Sequence, residues 1–152
     1  MITIRPSPTA DTRTCDFANV SKETLFASSK QHIEDVGYAL DFFAGKVNEA
    51  ASIHDEDKLF DIDSFHRDFV TGFKQTEWWD RHRKLNRHHL TAPDGIRDNV
   101  NLIDVLDFIA DVCVAMAGRG VVFPVTLPPE LLERAFQNTV ELLKSQIVVE
   151  AP

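Results

Sequence analysis

The run NLIDVLDFIADVCVAMAG, residues 101–118, is apolar nearly all the way round a helix, and a helix of that kind commits a chain to burying much of its length. It also carries Asp104, Asp107 and Asp111, whose spacings of three and four put the three carboxylates on one face. Carboxylates on a largely buried helix need a cation or good donors, because an uncompensated buried charge costs several kcal/mol. An exposed polar stripe is the other reading of the same spacing.

The rest of the chain extends this helical pattern. Ser21 is placed as an N-cap, and after it Leu25, Phe26, Ile33, Val36, Leu40 and Phe43 recur at threes, fours and sevens. Gly45 interrupts the run, and Val47 to Ile53 resumes it. Further helices are expected over Asp63 to Phe73, Glu77 to His88 and residues 98–117, with Gly118 and Gly120 as stops. Pro129 opens a last helix to about Ile147, whose one apolar face can close the core or pair with a second subunit in a homo-oligomer. TAPDG, residues 91–95, is a loop. Residues 1–18, with Pro6 and Pro8, read as an extended or poorly ordered arm. Strand signals are few, so the expected fold is all-α: one domain over residues 19–152, with about five to seven helices.

At 152 residues the chain suits one domain with a real core. Hydrophobic residues make up 43% and charged residues 26%, the balance of a globular protein, and no apolar run approaches the ~20 residues of a membrane span. The N-terminus lacks the apolar core of a signal peptide, and the expected location is cytoplasmic. Cys15 and Cys113 form no C-x-x-C, so a metal would be held by nitrogen and oxygen. The net charge of -8 argues against long nucleic acid as a partner, yet Lys74 to His89 carries +3 and the remainder -11. A small anion suits that local reversal.

Five of the six histidines fall in short clusters: QHIEDV, HDEDK and HRKLNRHHL. On a helix His82, Asn86 and His89 share one face, with His88 about 100° round from His89. Imidazole is the commonest protein ligand for transition metals, and carboxylate complements it in hydrolytic sites.

The order His, His-Asp, further histidines and a distal helical Asp resembles the HD-domain metal-dependent phosphohydrolases, a family of helical proteins. The resemblance covers about residues 30–115 and implies a compact HD-like bundle. It also implies metal ligands at His32, His54, Asp55 and Asp111, with His82, His88 and His89 matching the intervening histidines of members that bind two or more metals. Whether Asp104 or Asp107 replaces or assists Asp111 stays open. HDEDK and WDRHRKLNRHH are also similar to the H-D-x-x-K and W-x-x-H-x-x-x-N-x-H-H blocks of short bacterial and phage proteins.

His32 and His54 are 22 residues apart, about 33 Å in one continuous helix, so a shared metal demands a chain reversal. Two antiparallel helices turning near Ala44 to Lys46 are expected.

The resemblance implies one to three divalent ions of Mn, Fe, Co, Zn or Ni and attack of metal-activated water on phosphorus. Asp55 would bridge or orient the water, and Lys58 would stabilise charge developing on the phosphate. Some nucleotidases of the family carry a glutamate where Lys58 stands. Arg81, Arg83, Lys84 and Arg87 suit phosphate contacts or a solvated helical face. Trp78 and Trp79 suit core packing, or a base could stack on one of them. Phe60, Phe65, Phe69 and Phe73 read as one helix's packing stripe, and His66 as surface or structural.

The expected substrate is a small phosphorylated compound, foremost a deoxynucleoside triphosphate or a nucleoside monophosphate. A cyclic dinucleotide is disfavoured because Gly-Tyr-Pro is missing. A silent metal- or nucleotide-binding regulator and a di-iron oxygenase are the competing classes.

Overall fold

The computed structural model describes residues 1–5, 17–74, 77–92 and 95–150. It is mostly helical: β1 (Ile2–Ile4), α1 (Lys22–Ile53), α2 (Asp57–Phe60), α3 (Ile62–Phe69), α4 (Glu77–Leu85), β2 (Thr91–Ala92), β3 (Gly95–Ile96), α5 (Leu102–Arg119), α6 (Pro129–Lys144) and β4 (Ile147–Val149). Two units are defined, residues 1–45 with 141–152, and residues 46–140.

In the first unit β1 pairs in parallel with β4, in the register Ile2 with Ile147 and Ile4 with Val149. The first residues are extended as expected, but they form a ladder rather than a loose arm; residues 6–16 lie outside the described residues. The same ladder ends α6 at Lys144, short of the expected Ile147.

Ser21 caps α1 as expected, its Oγ accepting the Thr24 N–H at 3.1 Å. The expected reversal near Gly45 does not occur. α1 is one helix of 32 residues that runs through Gly45. A glycine costs a helix only about 1 kcal/mol, and the surrounding Ala39, Leu40, Ala44, Lys46 and Ala50 favour propagation with no proline to stop it.

In the second unit α3 ends at Phe69 rather than Phe73. Gly72 and Phe73 take positive φ, and the Phe73 N–H donates to Asp68 O at 3.0 Å, the long closing bond of a helix C-terminus. Three of the four expected stripe phenylalanines pack on one another, Phe65, Phe69 and Phe73, with Phe65 also stacked on buried Trp78; Phe60 is largely exposed. Where the loop TAPDG is expected, Thr91–Ala92 pairs antiparallel with Gly95–Ile96, Thr91 opposite Ile96; residues 93 and 94 lie outside the described residues.

α5 starts four residues later than expected, at a capping box. Asn101 Oδ1 accepts from the Ile103 and Asp104 N–H groups, and Asp104 Oδ2 accepts the Asn101 N–H at 2.9 Å. Its stop is Gly120, at φ 65, with Gly118 still inside the helix.

Leu90, Val100, Val105, Leu131 and Ala135 form the core, with Ile96, Leu102, Phe108 and Leu127 packed against it. Thr139 Oγ1 on α6 accepts the Leu102 N–H at 2.8 Å, and Asn138 donates to Asp98 O and Val100 O at 2.7 Å. These bonds fix the entry of α5 and with it the carboxylates further along. Only the start of α5 is buried; Leu106, Ile109 and Val114 are exposed, so the expectation of a largely buried helix holds for its first turn alone.

Candidate metal centre

The centre is built from the turn after α1, the C-terminal half of α4 with the residues that follow it, and the second and third turns of α5. His54 and Asp55 leave α1 together. Asp55 takes a left-handed backbone, φ 54, a conformation that costs most L residues about 1–2 kcal/mol and that aspartate tolerates better than most. Its N–H is held by Asn86 Oδ1 at 3.2 Å, and its carbonyl accepts the Lys58 N–H at 2.9 Å.

One nitrogen or oxygen from each of Asp55, His82, His88 and His89 lies within 4.8 Å of the others. His82 is fully buried, and its Nδ1 is 2.9 Å and 3.0 Å from the two oxygens of Asp57. A carboxylate only accepts, so Nδ1 carries a proton, and in the neutral ring Nε2 is the bare nitrogen. That bare Nε2 faces His89 Nε2 at 2.9 Å and Asp55 Oδ1 at 3.3 Å. His88 Nε2 is 3.4 Å from the same Asp55 oxygen. Asp55 Oδ1 is buried and has no hydrogen-bond partner. An orphaned carboxylate oxygen among imidazole nitrogens is a cradle that a cation satisfies.

A second group, His54, Asp55 and Asp111, meets the same 4.8 Å limit. His54 Nδ1 donates to Asp107 Oδ1 at 2.8 Å, which leaves Nε2 towards Asp55 Oδ2 at 3.6 Å and Asp111 Oδ1 at 3.9 Å. Asp55 therefore belongs to both groups, one oxygen turned to each. A third combination, His54, His88 and Asp107, overlaps the other two. These His/Asp groups can hold one or more metal ions through nitrogen and oxygen.

Burial would raise the Asp55 carboxyl, but the Lys58 hydrogen bond and charge, with His88 and His54, outweigh it and hold the carboxyl below its ordinary value. Burial pushes His88 down against the pull of Asp55. Burial, then the neighbouring His88 and His82, lower His89 to about 3. His88 and His89 are thus neutral near pH 7, the form in which imidazole binds metal.

The three α5 carboxylates separate by role. Asp111 stands with the His54–Asp55 pair, and Asp107 orients His54 from behind. Asp104 is elsewhere, capping α5 and taking a bidentate bond from Arg87 at 2.7 Å and 2.6 Å. His32 is not brought to the centre: it is exposed on the continuous α1 and belongs to none of the three groups among the described residues.

The expected phosphate-binding cations are mostly committed to partners. Arg87 also donates to Asn99 O, Arg81 pairs with Asp61, and Arg83 pairs with Asp80 and lies over Trp79. Lys84 is exposed. Lys58 remains at the centre, bonded to Asp55 Oδ2.

Asp57 was not anticipated. It accepts from His82 and from Asn86 Nδ2 at 2.9 Å, a position from which it would orient His82 as a ligand. The signal in the sequence was the four-residue step from His82 to Asn86, two donors on one face that call for a common acceptor. Trp78 and Trp79 stack on His82 with ring centroids 4.7 Å and 5.2 Å away, walling the imidazole; Trp78 is buried, as core packing requires. His66 is exposed.

No helix among the described residues is long and apolar enough to cross a membrane. Comparison with family models, curated proteins and solved structures finds no match to this chain, so the case for its chemistry is made by its own donors.

Proposed function

We propose that this chain is a metal-dependent phosphohydrolase acting on a small phosphorylated compound, foremost a (deoxy)nucleotide. The observation that carries the reading is the placement of Asp55, with Oδ1 towards His82 and His88, and Oδ2 towards His54 and bonded to Lys58. His82, His88, His89 and Asp55 would hold one ion and His54, Asp55 and Asp111 another; N/O donors of this kind suit Mn, Fe, Co, Ni or Zn. A divalent ion held there lowers the pKa of water and withdraws charge from a phosphoryl oxygen.

The chain's own residues supply the rest. Asp57 and Asn86 fix the His82 ring, and Asp107 fixes His54. The Lys58 ammonium supplies positive charge beside the shared carboxylate, where negative charge on a transferring phosphoryl group would develop. The HD-domain resemblance supports the same chemistry through His54, Asp55 and Asp111, without His32.

The test is metal content of the purified protein, followed by release of phosphate or pyrophosphate from a nucleotide panel with Mn, Co, Fe and Zn. Bound metal with turnover is expected, and His54→Ala combined with Asp55→Asn should abolish both. Metal retention without turnover across the panel would overturn hydrolysis in favour of a binding role. Turnover that survives the double change would overturn the site.

A further inference from the structure

α1 carries a second pattern that the metal centre does not use. Phe26, Ile33 and Leu40 recur at intervals of seven and are 72%, 70% and 62% exposed, although each is large and apolar. Three residues after the second and third stand Val36, 42% exposed, and Phe43. A repeat of seven with apolar first and fourth positions is the seam of a left-handed helix pair, not the drifting stripe of a helix laid on a globular core.

We propose that α1 associates with α1 of a second copy of this chain along that seam. Two observations select a second copy. The first is charge. The chain carries -8 overall, yet between Phe26 and Phe43 the positions flanking the seam are Lys30, His32, Gly37 and Ala39, whereas Glu34, Asp35 and Asp41 lie on the outer positions. Two acidic chains can meet there without opposing carboxylates, and the small flanking residues allow close approach of the helices.

The second is area. At roughly 200 Å² for a fully exposed large apolar side chain, the exposures of Phe26, Ile33, Val36 and Leu40 leave about 500 Å² per copy to remove from water. A symmetric pair removes about 1,000 Å² before its flanks are counted, so the flanks need add little to reach the ~1,200 Å² at which specific interfaces begin.

Sedimentation velocity of the full chain over a dilution series tests this. A species of twice the monomer mass is expected, and the double variant Ile33→Lys, Leu40→Lys should halve that mass with helicity by circular dichroism unchanged. The exchange Ile33→Leu, Leu40→Ile keeps the seam apolar and should remain a dimer. Val114→Lys, at a 73% exposed position of α5, should also remain a dimer. A wild-type monomer at every concentration would overturn the proposal, since the seam would then be covered within one chain or left bare. A double lysine variant that is folded and still dimeric would overturn it equally, as would dissociation by Val114→Lys alone.

Discussion

His82 Nε2 and His89 Nε2 stand 2.9 Å apart, and because His82 Nδ1 is committed to Asp57, a proton shared between the rings must come from His89. The two nitrogens converge on a space that a shared proton or a cation would fill.

Acid should destabilise the metal-free protein. His89, lowered to about 3 by burial, then His88 and His82, is neutral in the fold down to that pH, while in the unfolded chain it titrates near 6.5. Between those values the unfolded state binds more protons, so stability rises with pH and is lost as pH falls from 6.5. The lowered His88 acts in the same direction, and the lowered Asp55 joins near its ordinary value and below. Urea midpoints of metal-free protein at pH 7.5 and 5 measure this; an unchanged midpoint would contradict the burial of these rings.

Asp57→Ala should weaken metal binding about 10–100-fold without abolishing it, because His82 loses its orientation and not its nitrogen. It should also cost about 1–3 kcal/mol, since His82 and Asn86 are left buried without their acceptor. Calorimetric metal titration beside a urea melt separates the two effects. Affinity equal to wild type would remove Asp57 from the centre.

Arg87→Ala should leave metal content unchanged and lower stability by about 1–3 kcal/mol. It strips the bidentate partner from Asp104, whose side chain is only 5% exposed. A loss of substrate affinity with stability intact would instead place Arg87 at the phosphate.

Lys58→Met should retain metal and lower kcat about 10²–10³-fold on whichever nucleotide is turned over, the scale on which one preorganised positive group acts. Loss of metal together with turnover would mean that Lys58 serves Asp55 and not the substrate.

Much of this centre was legible in the sequence because the side chains that make it are dense and few: HDEDK, the three histidines of residues 82–89 and Asp111 all arrive at one place. The longer helices were legible from their periods, apart from the break expected in α1, and Ser21 and Gly120 from capping chemistry; the four residues of α2 were not. What was not legible depended on what the chain did not do. Gly45 carries the same letter as Gly120, yet one sits inside a long cooperative helix and the other takes φ 65 at a helix end. Only neighbours decide between them, and that decision alone removes His32 from the cluster. Asp104 and Asp107 were indistinguishable by spacing; the capping box claimed one and His54 the other. The β1–β4 ladder joins residues more than 140 apart, beyond any local pattern.

The left-handed backbone at Asp55 sets a condition on this position that chemistry alone would not. With φ at 54, a β-branched side chain would strain the turn, and glycine, asparagine and aspartate are the residues that fit it best. Of those three, only aspartate brings an anion. Glutamate, with the same charge and a longer reach, would have to oppose the backbone in order to serve a metal, so the backbone selects the same side chain that the proposed ligation would.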